Sequence, residues 1–492
     1  MLFSDAQLPL ALYTRQLIRD AEEKAIQSGV VSLFELIDRA GQAAFELLNG
    51  EARLQQKILV VAGYGNNGAD AYICATLLLE SGCQVSLYAI EREELGSGVS
   101  YAKAAFIAAG GHVIQSIEDV IDEVDIIVDG LLGTGFHGEV NEPFRKLIET
   151  INRSNAWILS LDVPSGIDAD TGAGELAIKA DVTLTFGALK QGLFTGAARD
   201  RVGRVVFADI GLTTFFPPSD IINIAHRLTD LGMPKRARNS HKGACGKVTV
   251  IGGDIGMAGA PRLAAESCLR SGAGLVAVIS RPEHLAIINN GRPELMFRGC
   301  ELVDMEVYER LGWADILLIG PGLGKHDWGY NLLKAASLSD KPCVMDADAL
   351  NLLALEPRKQ RNWVLTPHAG EAARLLGIET ADVESDRFSA VKALQAKYGG
   401  VVVLKGAGTL IFDGTVCHVA PVGNPGLASG GSGDVLGGII AGLMAQGMTL
   451  MDASSAGVVI HGVAADMAAK EGERGMLACD LFPFIRLLVD NI

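Results

Sequence analysis

The chain is expected to fold as two α/β halves, each built on a doubly wound, mainly parallel sheet. Three observations predict this. Short apolar strands alternate with helical segments along most of the sequence. The length, 492 residues, is too great for one ordinary core. The alternation pauses once, at Thr213-Thr214-Phe215-Phe216-Pro217-Pro218-Ser219, where adjacent prolines interrupt any element. The expected domains are therefore 1–218 and 219–492.

Two helices open the chain. The first covers Arg15 to Ser28. The second starts at Ser32-Leu33-Phe34-Glu35, a capping box with Ser and Glu three apart, and runs to Asn49. Strands are then expected at Lys57–Ala62, Gln84–Ile90, Val124–Asp129, Ala156–Asp162, Asp181–Phe186 and Arg204–Asp209. Helices between them are expected at Ala69–Ser81, Gly98–Ala109 and Glu142–Asn152. Beyond the boundary the series resumes, with strands at Lys247–Ile251, Leu275–Ser280, Ile316–Ile319, Cys343–Asp346, Trp363–Leu365 and Val401–Leu404. A helix is expected at Met257–Ser271.

Composition narrows the function. Hydrophobic residues make up 49% and charged residues 20%, a globular balance. The formal charge of −16 argues against a nucleic-acid partner, which needs a basic face. Eight cysteines show no C-x-x-C pair, so no zinc or redox motif is signalled, and they read as buried thiols of a reducing compartment. The start, Met1-Leu2-Phe3-Ser4-Asp5, lacks the basic region and apolar core of a signal peptide. Val435 to Met448 is apolar but too short to span a bilayer. A cytoplasmic protein without a membrane partner is expected.

In the first half, Gly63-Tyr64-Gly65-Asn66-Asn67-Gly68-Ala69-Asp70 follows the first strand. It matches G-x-G-x-x-G, and Glu91 ends the next strand as a dinucleotide fingerprint requires. That fingerprint alone is weak. Asn66, Asn67 and Asp70 are foreign to it, and their oxygens suit a cation or a ribose–phosphate. Asp129-Gly130-Leu131-Leu132-Gly133-Thr134-Gly135-Phe136-His137-Gly138 and Asp162-Val163-Pro164-Ser165-Gly166-Ile167-Asp168 end later strands. Strand carboxyl ends line one crevice in such sheets, so Asn67, Asp129, Asp162 and Ser165 are expected to converge. The alternative is a set of ordinary βα turns with capping Asp and Ser.

In the second half, Asn424-Pro425-Gly426-Leu427-Ala428-Ser429-Gly430-Gly431-Ser432-Gly433-Asp434 precedes an apolar helix. Open amides at a helix start attract anions, and an aspartate there can take a proton from a hydroxyl. Upstream, Lys405-Gly406-Ala407-Gly408-Thr409 follows a buried strand, a turn able to wrap phosphates with amides, a hydroxyl and an ammonium. The two together are similar to the nucleotide site of the ribokinase-like fold. A flexible glycine loop capping a helix is the bland alternative.

Gly-x-Gly-Asn-Asn-Gly-x-Asp, Asp-x-Leu-x-Gly-Thr-Gly-Phe and Leu-Asp-Val-Pro-Ser-Gly-Ile-Asp resemble the NAD(P)H-hydrate epimerase domain. Asn239-Ser240-His241-Lys242-Gly243, Gly320-Pro321-Gly322-Leu323-Gly324, Asp346-Ala347-Asp348-Ala349-Leu350-Asn351, Thr366-Pro367-His368, Lys405-Gly406 and Gly430-Gly431-Ser432-Gly433-Asp434 resemble the ADP-dependent NAD(P)H-hydrate dehydratase. In order and spacing the chain resembles the bifunctional NAD(P)H-hydrate repair enzymes, with a Rossmann-like domain followed by a ribokinase-like one.

The resemblance implies repair of hydrated NADH and NADPH, called NADHX and NADPHX. The first domain would interconvert the R and S epimers at C6 with a potassium ion, for which Asn67, Asp129 and Ser165 are the candidate ligands. Asn66, Asn67, Gly68, Ala69, Asp70, Gly133, Thr134, Gly135, Phe136, His137, Gly138, Glu139 and Asp162 would hold the hydrate, with Asp162 the candidate proton-transfer group. Ala69 stands where this family commonly has Gly, and its methyl would narrow the approach of a phosphate.

The second domain would phosphorylate the C6 hydroxyl of the S epimer from ADP and release NAD(P)H, AMP and phosphate. Asp434 would be its base. Lys405, Gly406, Ala407, Gly408, Thr409 and Gly433 would hold the nucleotide, Ala260, Gly322, His368 and Asp434 the hydrate, and magnesium is expected. A homo-oligomer is expected too. Two rival readings stand beside this one: an ATP-dependent kinase of a small alcohol, and a dinucleotide-sensing or scaffold protein with a degenerate site.

Overall fold

The computed structural model describes residues 2–490 apart from 5, 6, 52, 54, 91 and 225–235. Glu91, the acid of the dinucleotide reading, thus lies outside the described residues. The chain divides into two compact units, Met1–Ile221 and Ile222–Ile492.

The first unit contains β1 (Leu2–Ser4), β2 (Leu12–Tyr13), β3 (Lys57–Ala62), β4 (Gln84–Ala89), β5 (Val113–Ile114), β6 (Ile126–Gly130), β7 (Trp157–Leu161), β8 (Val182–Phe186), β9 (Leu189–Lys190) and β10 (Arg204–Ala208). Eight of these form one sheet in the order β1-β10-β8-β7-β6-β3-β4-β5, while β2 and β9 pair as a separate parallel ribbon. Among the described residues only β1 runs antiparallel to its neighbour. β3, β6 and β8 are buried along nearly their whole length because helices cover both faces, hence their continuous apolar runs. The chain leaves β3 toward β4 and β5, then returns to β6 on the other side. The strand order therefore reverses between β3 and β6, where such sheets open a ligand crevice.

The second unit contains β11 (Ile221–Asn223), β12 (Lys247–Ile251), β13 (Leu275–Ser280), β14 (Met296–Gly299), β15 (Ile316–Ile319), β16 (Cys343–Met345), β17 (Trp363–Leu365), β18 (Val401–Leu404), β19 (Thr409–Phe412) and β20 (Cys417–Ala420). Their sheet runs β11-β20-β19-β18-β17-β16-β15-β12-β13-β14. It is parallel from β14 to β18 and closes with the antiparallel pairs β18–β19 and β19–β20. Here the order reverses between β12 and β15.

The apolar stretch after the glycine loop is a core helix, Ser432–Ala445. Its glycines admit a neighbour. A methyl on Gly438 would strike Ser267 Oγ and the Ala264 carbonyl of the helix Gly259–Arg270. Among the described residues no helix is long and apolar enough to cross a membrane.

The capping box forms as expected: Glu35 N donates to Ser32 Oγ at 3.2 Å, and Ser32 N donates to Glu35 Oε2 at 2.7 Å. One boundary differs in a way that matters. The helix expected from Ala69 begins at Asn66 and runs to Glu80, capped by Gly65 in an extended conformation. Asn-Asn-Gly reads as a turn by propensity, but the first helical turn still has open amides and tolerates such residues.

Candidate active sites

In the first unit the C-terminal ends of β3, β6 and β7 and the helix Arg15–Gln27 enclose a cavity of about 520 Å³. Asn66, Asn67, Asp70, Gly133, Thr134, Gly135, Phe136, His137 and Asp162 line it. Gly68, Ala69, Gly138 and Glu139 do not. Gly68 faces the preceding turn, where a methyl would strike the Gly63 carbonyl, and Ala69 is fully buried in the core. The Ala69 methyl therefore points away from the space a phosphate would use.

Asp162 follows β7 with φ of 66°, in the left-handed region that Asp tolerates better than most residues. Its Oδ1 meets Lys190 Nζ at 2.5 Å, and its Oδ2 accepts from Thr134 N at 2.9 Å and from the Thr134 hydroxyl. Burial works to raise this carboxyl, but Lys190 and Thr134 outweigh it and hold it below the usual range. Lys190, on β9, is fully buried and also donates to Thr185 Oγ1 at 3.0 Å and to the Phe186 carbonyl at 2.8 Å. Two further carboxyls share the cavity. Burial first, then Asp162 and Glu22, push Asp70 well up. Burial first, then Asp162, raise Glu22 to about 7.

Asp129, Ser165 and Asn67 lie together under this floor. Asp129 is fully buried and accepts from Ser165 Oγ at 2.6 Å, Ser165 N at 3.0 Å, Ser160 Oγ at 2.8 Å and Leu131 N at 3.2 Å. Burial raises its pKa, with these hydrogen bonds pulling the other way. Asn67 Nδ2 donates to the Leu132 carbonyl at 3.1 Å, and Ser165 Oγ, 3.2 Å from that oxygen, accepts from Leu132 N at 2.8 Å. Asn67 Oδ1 is buried with no hydrogen-bond partner. A buried orphaned oxygen beside a carbonyl, a hydroxyl and a carboxylate is a donor set that fits a hard cation. A β-carbon on Gly133 would stand 3.0 Å from Asn67 Cβ and 3.2 Å from Asp162 Oδ2, so cradle and carboxylate adjoin.

In the second unit the loop before Ser432–Ala445, the end of β16 and the β18–β19 turn converge on Lys405. Lys405 Nζ meets Asp346 Oδ1 at 2.8 Å and stands 3.9 Å from Glu371 Oε2. Burial opposes its charge, but Asp346 and Glu371 prevail and raise its pKa. A β-carbon on Gly433 would lie 3.3 Å from Lys405 Nζ and 3.6 Å from Asp346 Oδ2. Asp434 stands in the first turn of its helix, where burial first and then Asp346 raise it to about 7. Asp346 engages the cation, so Asp434 is left as a carboxyl half-ionised near neutrality, the state a general base needs.

The turn between β18 and β19 is braced from behind. Arg387 donates to the Leu404 carbonyl at 3.1 Å and the Lys405 carbonyl at 3.2 Å, and a β-carbon on Gly406 would meet its guanidinium. Thr409 Oγ1 donates to the Gly406 carbonyl at 3.1 Å. At the glycine loop, His461 Nε2 donates to the Ser432 carbonyl at 2.9 Å. Gly322 and Ala260 adjoin: a β-carbon on Gly322 would lie 3.3 Å from Ala260 Cβ. His368 caps the helix Ala369–Leu376, its Nδ1 accepting from Gly370 N at 3.0 Å and Glu371 N at 3.3 Å. Burial, then Lys405 and Arg374, lower its pKa. The neutral ring therefore carries its proton on Nε2, which stands 3.5 Å from Glu371 Oε1.

Sequence reasoning missed Lys190, Glu22, Arg387 and His461. Each is a single residue outside any motif, brought in by an element with its own structural reading.

Residues 248–486 match the family described as NAD(P)H-hydrate dehydratase, and residues 33–192 the family described as YjeF-related protein N-terminus. The bifunctional NAD(P)H-hydrate repair enzyme of Coxiella burnetii is 47% identical over 487 residues, covering 97% of this chain and 99% of that one. Its counterpart in Escherichia coli is 44% identical over 489 residues, covering 98% and 95%. A ribokinase-like superfamily protein from Enterococcus faecalis superposes with a TM-score of 0.52 at 28% identity, covering 56% of this chain and 97% of its own. With both halves matched and nearly the full length shared, the chain belongs to the bifunctional NAD(P)H-hydrate repair enzymes.

Proposed function

We propose that the two units divide the repair of hydrated NADH and NADPH. The second unit dehydrates the S epimer with ADP, and the first interconverts the R and S epimers so that both are consumed. The observation that carries this is the pair of unlike sites. One holds Asp434 in the first turn of a glycine-rich helix start, beside the Lys405–Asp346 pair. The other holds a Lys190-bound Asp162 over an oxygen cradle.

At the second site Asp434 takes the C6 hydroxyl proton as that oxygen attacks the terminal phosphorus of ADP, and AMP leaves. Open amides at Ser432 to Asp434 and the Lys405 ammonium face the charge that develops. The phosphate ester then leaves C6, driven by the ring nitrogen's lone pair, and loss of the C5 proton restores the double bond. Gly406, Ala407, Gly408 and Thr409 hold the nucleotide on the Arg387 brace. The His368 Nε2–H, with Gly322 and Ala260, holds the hydrate. Among the described residues no group of three or more His, Cys, Asp or Glu side chains could cage a metal. Magnesium, when bound with the nucleotide, would neutralise phosphate charge.

At the first site Asn67, Asp129 and Ser165 would hold potassium, which supplies a fixed positive charge beside the hydrate. Asp162, ionised and oriented by Lys190 and Thr134, moves the proton. A cytoplasmic location is supported by the free buried thiols of Cys74, Cys268 and Cys343.

The test is recovery of reduced-nicotinamide absorbance from a mixed-epimer hydrate, with and without ADP. Complete recovery with ADP and none without it is expected. Turnover of a small alcohol with ATP, and none of the hydrate, would favour the kinase reading instead.

A further inference from the structure

The epimerase cavity has a second wall that its motifs do not supply. The helix Arg15–Gln27 brings Glu22 into the space lined by Asp162, Asp70 and Lys190. The helix is anchored there: Arg15 N donates to Asp170 Oδ1 at 2.7 Å, and its guanidinium pairs with Asp170 Oδ2 at 3.1 Å. Glu22 is half-buried. Among the described residues no hydrogen bond or ion pair engages it, whereas Asp162 is held by both Lys190 and Thr134. The charged groups acting on Glu22 are Asp162 from the turn after β7, Lys190 from β9, and Arg19 and Glu23 from its own helix. Asp70, from the helix after β3, is coupled to it as well.

The chemistry calls for two groups. C6 of the hydrate bears its hydroxyl beside the ring nitrogen. Inverting that carbon requires the C–O bond to break on one face and reform on the other. The leaving oxygen needs a proton, and the water that adds must give one up.

Resting on the epimerase reading of this site, we propose that Glu22 is the second catalytic residue of epimerisation, donating the proton to the leaving C6 hydroxyl. The C6–O bond breaks with its electron pair on oxygen, which takes the Glu22 proton and departs as water. The ring nitrogen's lone pair forms the C6–N double bond. Water then adds from the opposite face, passes its proton to the Asp162 carboxylate, and the nitrogen recovers its pair. In the reverse direction the two carboxyls exchange roles, so the couple must carry one proton in either direction. Burial and the neighbouring Asp162 keep Glu22 partly protonated at neutrality, as that requires.

The test uses the full chain with Glu22→Gln and Glu22→Asp. Epimer exchange is followed in the absence of ADP, with a thermal melt of each variant as the control for folding of the first unit and ADP-dependent dehydration of the purified S epimer as the control for the second. Glu22→Gln is expected to lower kcat for exchange by about 100-fold or more with KM within a few-fold, and to leave dehydration intact. Glu22→Asp is expected to restore part of the loss. Wild-type exchange should fall as pH rises through about 7, the range set for Glu22, and the Gln variant should lose that bend. Exchange by Glu22→Gln at a rate near wild type, or a wild-type profile with no bend near neutrality, would overturn the proposal. A wild-type chain with no epimer exchange at all would instead remove the epimerase reading beneath it.

Discussion

At the scale of single residues, each site holds carboxylates whose neighbours set their charge. Asp434 has no firm cation of its own, because Asp346 binds Lys405. Asp434→Asn keeps the shape and removes the proton acceptor, so ADP-dependent dehydration should fall by about 1,000-fold or more while epimer exchange persists. Loss of both activities in a folded variant would show that the two reactions share a site. Asp129 is the converse case, a buried carboxylate whose hydrogen bonds all come from its own floor. Asp129→Ala should weaken epimer exchange and flatten its response to potassium. A potassium titration indistinguishable from wild type would remove Asp129 from the ligand set.

At the scale of elements, the glycine loop is fixed by a buried histidine. Burial lowers His461 to about 4, while in the unfolded chain it titrates near its ordinary 6.5. Between those values the unfolded state binds the extra proton. Stability is therefore complete above about 6.5 and is lost as pH falls toward 4, by about 3 kcal/mol in all if this group acts alone. Denaturant melts of the second unit from neutral to acid pH should show that slope, and His461→Gln should reduce it. An unchanged slope in the variant would assign it to other groups.

The elements themselves were largely legible. β3, β12, β13, β15, β17 and β18 begin and end where expected, because a strand buried on both faces reads as a mostly apolar run bounded by the turns that leave the sheet. Asn66 was misplaced into a loop because turn propensity and first-turn tolerance look alike in one sequence. The candidate site residues could be named because glycine clusters mark strand ends. Lys190 and Glu22 could not, since a lone lysine on a two-residue strand and a glutamate on an amphipathic helix have surface readings. Only the fold shows that β9 turns that lysine inward.

At the scale of the whole molecule, each unit has its own sheet and its own core. A fragment 222–492 should therefore fold alone and dehydrate the S epimer with ADP. It should stop at the S fraction of the starting mixture, since only slow spontaneous exchange would supply more. Adding the fragment 1–221 should carry the reaction to completion. Rapid consumption of both epimers by the second fragment alone would move epimerisation out of the first unit, and insoluble fragments would move the boundary.

The helix Arg15–Gln27 lies ahead of residue 33, where the recognisable family core begins. A gene trimmed to residues 33–192 would encode the oxygen cradle, Asp162 and Lys190, and would omit one side of the chamber with its unpaired acid. Such a truncated product would look complete to any comparison of motifs. It would leave the hydrate open to bulk water on the face where the fold places Glu22.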